Sequence, residues 1–119
     1  MAGNTLNVLL IEDNPGDARL VIETLVQSRN ATFVVEHYNL LSTGMARLQV
    51  GGIDVLLLDL GLPDSVGIET LVRARAGAPE IPIVVLTGLD DHGIALRATH
   101  EGAQDVVFKN HLNRDSLTQ

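Results

Sequence analysis

Four short, uninterrupted apolar runs, each followed by a polar residue, constrain the fold of this chain most strongly. The runs and the polar residues that follow them are 8–11 with Glu12 and Asp13, 55–58 with Asp59, 83–86 with Thr87, and 106–108 with Lys109. Runs of this length that are apolar on both faces are typical of strands in a parallel sheet covered by helices. Because parallel strands end at the same edge of a sheet, the sequence predicts that these polar side chains meet there.

Helical patterns separate the runs. In the best marked one, Asn14 can cap the helix and Pro15 suits its first position. Its apolar residues recur at the spacing i, i+3, i+4 and i+7, and they are Ala18, Val21, Ile22 and Leu25. We predict that Ser65 and Asp90 cap a third and a fourth helix, and that residues 111–119 begin a fifth.

A second strand over residues 33–38 and a second helix complete five strand–helix units. Since parallel crossovers are right-handed and need helices on both faces, these units predict an α/β fold. The expected architecture is a doubly wound, five-stranded parallel sheet in the order 2-1-3-4-5, with a site at its carboxyl edge. At 119 residues, the chain is expected to be a single domain over residues 1–119.

Composition and charge exclude several classes of function. A formal net charge of −7 argues against direct contact between this domain and nucleic acid, because phosphate contacts need clustered Lys and Arg. The absence of cysteine excludes a disulfide scaffold and thiol chemistry. The start of the chain lacks the pattern of a signal peptide, and its apolar runs are too short to span a bilayer. These features predict a cytoplasmic domain with no membrane contact.

The acidic residues at the predicted edge suggest a metal site. Glu12, Asp13 and Asp59 would repel one another if they were left unpaired. A hard divalent cation resolves this repulsion, and Mg²⁺ is the usual choice where few carboxylates are joined by water and phosphate oxygens. The sequence therefore predicts Mg²⁺ as a cofactor.

The remaining edge residues suit phosphoryl transfer. Carboxylates form aspartyl-phosphate intermediates, so Asp59 is the natural nucleophile. Lys109, the only lysine in the chain, supplies a compact cation for phosphoryl oxygens, and the Thr87 hydroxyl can donate to another oxygen. Taken singly, each of these residues is more simply explained as a turn, cap or surface residue. Taken together, four strand ends with complementary groups favour a functional site.

At the level of whole motifs, the chain resembles the receiver domains of response regulators in two-component signalling. The matching segments are residues 8–14, 54–64, 82–88 and 102–109, in the same order and spacing. The resemblance implies transfer of a phosphoryl group to Asp59 from a phosphohistidine of a sensor histidine kinase or phosphotransfer protein. It also implies Mg²⁺ held by Asp13, Asp59 and the Gly61 carbonyl, with Glu12 acting through water.

The resemblance further implies a conformational switch that controls an output domain or a protein partner, and it leaves a homodimer open. The domain would use its own catalytic groups without turning over a separate substrate, so we expect it not to be an enzyme. A last helix too short to cover its side of the sheet suggests a piece of a longer protein.

The sequence departs from the family pattern at two positions near the lysine. Val106 stands where the family usually has its switch aromatic, and Asn110 stands where a proline with a cis bond usually follows the lysine. A cis bond without proline costs about 2.5–4 kcal/mol, so we expect a trans Lys109–Asn110 peptide. We also expect a response to phosphorylation that differs from the usual aromatic rotation.

Two other classes of protein remain as alternatives. A phosphatase of the haloacid-dehalogenase type also uses an aspartate nucleophile with Mg²⁺, but it needs a second aspartate where this chain has Gly61. A flavin-binding module shares the flavodoxin-like topology, but it needs a hydroxyl- and glycine-rich phosphate loop where this chain has Glu12 and Asp13.

Overall fold

The computed structural model describes residues 5–28, 31–88, 92–109 and 112. Its elements are, in chain order, β1 (Thr5–Ile11), α1 (Pro15–Val26), β2 (Thr32–Tyr38), α2 (Leu41–Val50), β3 (Val55–Asp59), β4 (Gly61–Leu62), β5 (Ser65–Val66), α3 (Ile68–Gly77), β6 (Ile83–Thr87), α4 (His92–His100) and β7 (Asp105–Phe108). Within these residues, no helix combines the length and the apolar character needed to cross a membrane.

Five of the strands form one parallel sheet in the order β2-β1-β3-β6-β7. Strands β4 and β5 form a separate antiparallel pair of two residues each, inserted between β3 and α3. If that pair is set aside, the order is the predicted 2-1-3-4-5, and the predicted doubly wound α/β fold is confirmed.

The apolar runs supply both faces of the sheet. In β1, Leu9 and Ile11 pack with residues of α2, α3 and α4 on one face, while Val8 and Leu10 pack with α1 on the other. All four side chains are buried. This alternation explains why residues 8–11 are apolar at every position, since both faces of the sheet are covered there.

Helix α1 begins as the sequence predicts. The Asn14 side chain accepts a hydrogen bond from the Asp17 backbone N–H at 3.0 Å, and Pro15 occupies the first turn. Ala18 and Val21 are buried, and Ile22 and Leu25 pack beside them. Because this cap lies directly after β1, it fixes the direction in which the chain leaves the end of that strand.

The predicted start of α3 is wrong. Ser65 lies in β5 and is buried, with its Oγ 2.8 Å from the Thr70 Oγ1. The helix begins at Ile68 after Gly67, whose φ of 82° favours glycine. A hydroxyl that can cap a helix can equally hydrogen-bond to a side chain in its first turn, and the intervening β4–β5 pair was not predicted.

Three expectations concern residues that the structure does not describe. The Asp90 cap, the Lys109–Asn110 peptide and a fifth helix over residues 111–119 lie outside the described residues. Leu112, which is described, packs against the α1 side of the core.

Candidate functional site

Three carboxylates meet at the carboxyl edge of the sheet. Glu12 and Asp13 follow β1, and Asp59 ends the neighbouring strand β3. One carboxylate oxygen of each lies within 4.8 Å of the others. Glu12 and Asp59 are buried while Asp13 is exposed, so the group opens to solvent on one side. Oxygen donors at this spacing suit a hard divalent cation, so the residues fit a metal such as the predicted Mg²⁺.

Glu12 is the most deeply buried of these acids, with no exposed surface. Burial raises the pKa of Glu12 to about 7, and the negative charge of Asp59 adds to that effect. Hydrogen bonds from Lys109 and from the Asn14 backbone N–H oppose it by favouring the charged form. Glu12 is therefore an acid whose charge depends on the cations around it.

Lys109 lies among these acids. Its Nζ is 2.8 Å from the Glu12 Oε1, 2.9 Å from the Asp17 Oδ2 and 3.6 Å from the Asp59 Oδ1. Burial alone would lower the pKa of the ammonium, but the hydrogen bonds to Glu12 and Asp17 raise it above the ordinary value. The side chain is only 12% exposed, so it does not face the solvated edge as expected from the usual behaviour of lysine.

Two contacts at this edge were missed by sequence reasoning. In the sequence, Asp17 stands out only as an acid suited to a helix N-terminus, yet its carboxylate binds Lys109. His37 shows no metal-ligand spacing in the sequence, yet its Nε2 lies 2.6 Å from the Glu12 backbone carbonyl oxygen. For His37 the sequence carries no signal, because the contact depends on the pairing of β2 beside β1.

Thr87 and Gly61 lie beside Asp59. Both line an open cavity of about 270 Å³ together with Asp59, and Gly88 and Val66 line it as well. The Gly61 backbone N–H donates to the Asp59 Oδ1 at 3.2 Å. The structure therefore places Glu12, Asp13, Asp59 and Lys109 in one cluster, with Thr87 and Gly61 bordering the adjoining space. An anion bonded to Asp59 could occupy that space.

This fold and this cluster define a class of protein: a doubly wound domain with clustered acids and one lysine at its carboxyl edge. A family model described as the response regulator receiver domain matches residues 8–119. The chain belongs to this family, and it is a receiver domain of the response regulators of two-component systems. The phosphatase and flavin-binding alternatives are not supported.

Two curated relatives are similar to this chain over part of their own length. The chain is 33% identical over 104 residues to the swarming motility regulation protein RssB of Serratia marcescens, covering 87% of this chain and 46% of RssB. It is also 33% identical over 104 residues to the cell cycle transcriptional regulator CtrA of Caulobacter vibrioides, covering 87% of this chain and 44% of CtrA. The chain thus spans less than half of the length of these two relatives.

A solved structure supports the same placement. The Mn²⁺-bound form of response regulator Rcp1 is similar with a TM-score of 0.78 and 27% identity, covering 95% of this chain and 87% of that one. A response regulator of this fold therefore binds a divalent metal in its crystal structure. Among the residues that the structure describes here, Glu12, Asp13 and Asp59 form a group that could hold a metal ion.

Proposed function

We propose that this domain accepts one phosphoryl group on Asp59 in a Mg²⁺-dependent reaction and switches conformation in response. In the transfer, a carboxylate oxygen of Asp59 forms a bond to phosphorus while the bond between phosphorus and the donor imidazole nitrogen breaks. The bonding electron pair stays on that nitrogen. The observation that carries the proposal is the burial of the Asp59 carboxylate beside two acids and an ammonium, bordering an open cavity.

The neighbouring residues have complementary roles in this proposal. The Lys109 ammonium, 3.6 Å from the Asp59 Oδ1, neutralises charge on the phosphoryl oxygens, and the Thr87 hydroxyl donates to one of them. A bound metal would be held by Asp13, Asp59 and the Gly61 carbonyl, and Glu12 would act on it through water. When bound, Mg²⁺ supplies charge neutralisation and orientation for the transferring group.

Membership of the family supports a proposal for the partners and the setting. We propose a sensor histidine kinase or a phosphotransfer protein as the donor, and an output domain or separate protein as the receiver of the signal, in the cytoplasm. A homodimer is one assembly through which the signal could pass. The domain uses its own catalytic groups to modify itself and turns over no separate substrate, so we do not class it as an enzyme.

Uptake of a phosphoryl group from a small phosphodonor such as acetyl phosphate tests the proposal. Intact-mass measurement should show one added phosphoryl group on the wild type with Mg²⁺, and none after chelation of the metal. Asp59→Asn should abolish uptake. The matched control is Asp54→Asn, which changes an exposed aspartate that precedes the same strand and accepts a hydrogen bond from the Asn7 N–H. Equal uptake by wild type and Asp59→Asn would refute the assignment.

A further inference from the structure

A closed ring of hydrogen bonds joins the end of β1, the start of α1 and the end of β7. Lys109 donates to the Glu12 Oε1 at 2.8 Å and to the Asp17 Oδ2 at 2.9 Å. The Asp17 backbone N–H donates to the Asn14 Oδ1 at 3.0 Å, and the Asn14 backbone N–H donates to the Glu12 Oε2 at 3.1 Å. Each of these four residues therefore contacts two others in the ring.

The ring determines how the ammonium of Lys109 can be used. An ammonium carries three N–H bonds. Glu12 and Asp17 accept two of them, which leaves the third for a group at Asp59, whose Oδ1 is 3.6 Å away. Lysine has a flexible stem of four carbons, so a single acceptor would leave its ammonium group free to change direction. Two acceptors that bind two of its N–H groups restrict it.

We propose that Asp17 is a positioning residue for phosphoryl transfer, which holds the Lys109 ammonium with its third N–H directed at the phosphoryl group on Asp59. This inference rests on the proposed function of Asp59 and Lys109. Asp17 does not touch the reacting atoms, and it acts only through the lysine. Its location in the first turn of α1, beside the Asn14 cap, makes it a firm anchor because the helix fixes its backbone.

The alternative explanation is that Asp17 only contributes negative charge or stabilises the helix N-terminus. Glu23→Ala controls for the loss of negative charge, and the double-mutant cycle with Lys109→Ala tests the effect on the helix N-terminus. Glu23 lies in the same helix, it is ion-paired with Arg19 at 3.7 Å rather than with Lys109, and its side chain is 54% exposed. Glu23→Ala therefore removes the same charge from the same helix, together with an exposed ion pair, without touching the ring.

The first test compares the maximal rate of phosphoryl uptake from acetyl phosphate at saturating Mg²⁺. Asp17→Ala should be about tenfold slower than the wild type, a loss typical of one charge-assisted hydrogen bond, while Glu23→Ala should match the wild type. If the alanine variant does not fold, Asp17→Asn keeps the shape, loses the charge and should be slower in the same direction. An Asp17 variant that is folded and as fast as the wild type, or faster, would overturn the inference.

A double-mutant cycle with Lys109→Ala shows whether Asp17 acts through the lysine. In the Lys109→Ala background, Asp17→Ala should cause no further slowing. The same fold-reduction in both backgrounds would overturn the inference, because Asp17 would then act independently of Lys109.

The single lysine also gives a spectroscopic readout that a purely structural role would not change. Protein labelled with ¹⁵N-lysine should show one side-chain ammonium signal, and Asp17→Ala should shift that signal and speed the exchange of its protons with water. Glu23→Ala should leave it in place. An unchanged signal in Asp17→Ala would contradict the proposed contact.

Asp59→Asn, measured alongside, separates a failure of the inference from a failure of the proposed function. If Asp59→Asn abolishes uptake while Asp17→Ala matches the wild type, only the role of Asp17 is refuted. If Asp59→Asn takes up phosphoryl groups like the wild type, the proposed function itself is refuted, and the role of Asp17 is refuted with it.

Discussion

The position of Lys109 shows most clearly how the fold assembles the proposed site. Its ammonium lies beside the carboxylates of Glu12, Asp17 and Asp59. All three residues are far from Lys109 in the chain, and Glu12 is 97 positions away. Such a contact forms only when β1, β3 and β7 end at one edge of the sheet. The ammonium compensates part of the negative charge there, and a metal would compete with it for the same acids.

This competition predicts opposite effects of Lys109→Met on two measurements. Mg²⁺ affinity should rise by about tenfold, because one unit charge at 4 Å contributes between ~1 and ~4 kcal/mol depending on the local dielectric. Phosphoryl uptake should fall by about 100-fold, the usual effect of losing one group that stabilises an anionic transition state. Calorimetric titration with Mg²⁺ and intact-mass kinetics measure the two.

Arg19→Met is the control for this experiment, because it removes a cation from the exposed surface of α1. It should leave both the affinity and the uptake unchanged. A Lys109→Met protein that phosphorylates at the wild-type rate would remove Lys109 from the site. Loss of both Mg²⁺ binding and uptake would instead show that the lysine is needed for the fold of the site.

The limits of sequence reasoning are visible at single residues. The acids and the lysine were predictable because each follows an apolar run, and the sheet brings such positions together. The contact of Asp17 with Lys109 was not, since an acid in a first helical turn already has a sufficient local explanation in the helix dipole. The low exposure of Lys109 was missed for a related reason, because residue type alone predicts a solvated lysine.

Among the elements, α2 has an unusual N-terminus. Its N-cap residue, Leu40, makes no side-chain cap hydrogen bond. The Asp64 carboxylate, from the turn between β4 and β5, accepts hydrogen bonds from the backbone N–H of Leu41 at 2.9 Å and of Ser42 at 3.0 Å. A residue 22 or more positions away thus caps the helix, and it ties the segment after Asp59 to α2. This arrangement could not be predicted, because cap signals in a sequence are local.

Asp64→Ala should therefore lower the free energy of unfolding by about 1 kcal/mol at pH 7, as is typical of a lost cap. Partial burial raises the pKa of Asp64, but the backbone N–H groups of Ser42 and Leu41 lower it by more, so it lies below its ordinary value of 3.8. The stabilisation is then fully present above pH 3.8 and is lost as the pH falls through the lower pKa of the folded state.

Urea unfolding at pH 7 and at decreasing pH below 3.8 measures this difference. The difference in the free energy of unfolding between wild type and Asp64→Ala should be largest at pH 7 and should become smaller in acid. Glu80→Ala, which changes an exposed acid in the turn before β6, serves as the control and should cost little at either pH. A difference that grows as the pH falls would contradict the role of Asp64 as an ionised cap.

For the molecule as a whole, the central question is which structural change phosphorylation would cause. Val106 is half-buried, pairs in register with Val85 and packs against the core on the α2–α4 side of the sheet. A β-branched side chain in that setting is stiff and cannot swing into solvent as an aromatic ring can. Thr87, by contrast, borders the cavity at Asp59 and is followed by Gly88, which gives the backbone freedom to move.

We therefore predict that the response is dominated by Thr87 and the segment leading into α4, with little repacking at Val106. Amide chemical shifts with and without beryllofluoride, which mimics a phosphoryl group on Asp59, measure this. The largest changes should lie at residues 87–90, and Asp59→Asn should show none of them. A large rearrangement centred on Val106, with residues 87–90 unchanged, would refute the prediction.

The identity of the modified residue is the point on which the proposed function depends most directly. Borohydride reduces an acyl phosphate to an alcohol and so marks the phosphorylated carboxylate permanently. Wild-type protein phosphorylated in Mg²⁺ should be reduced at Asp59 alone, as read by tandem mass spectrometry of the peptide that contains β3. Reduction at Asp13, Asp17 or any other acid instead of Asp59, or no reduction at all, would contradict the assignment of Asp59 as the phosphoacceptor.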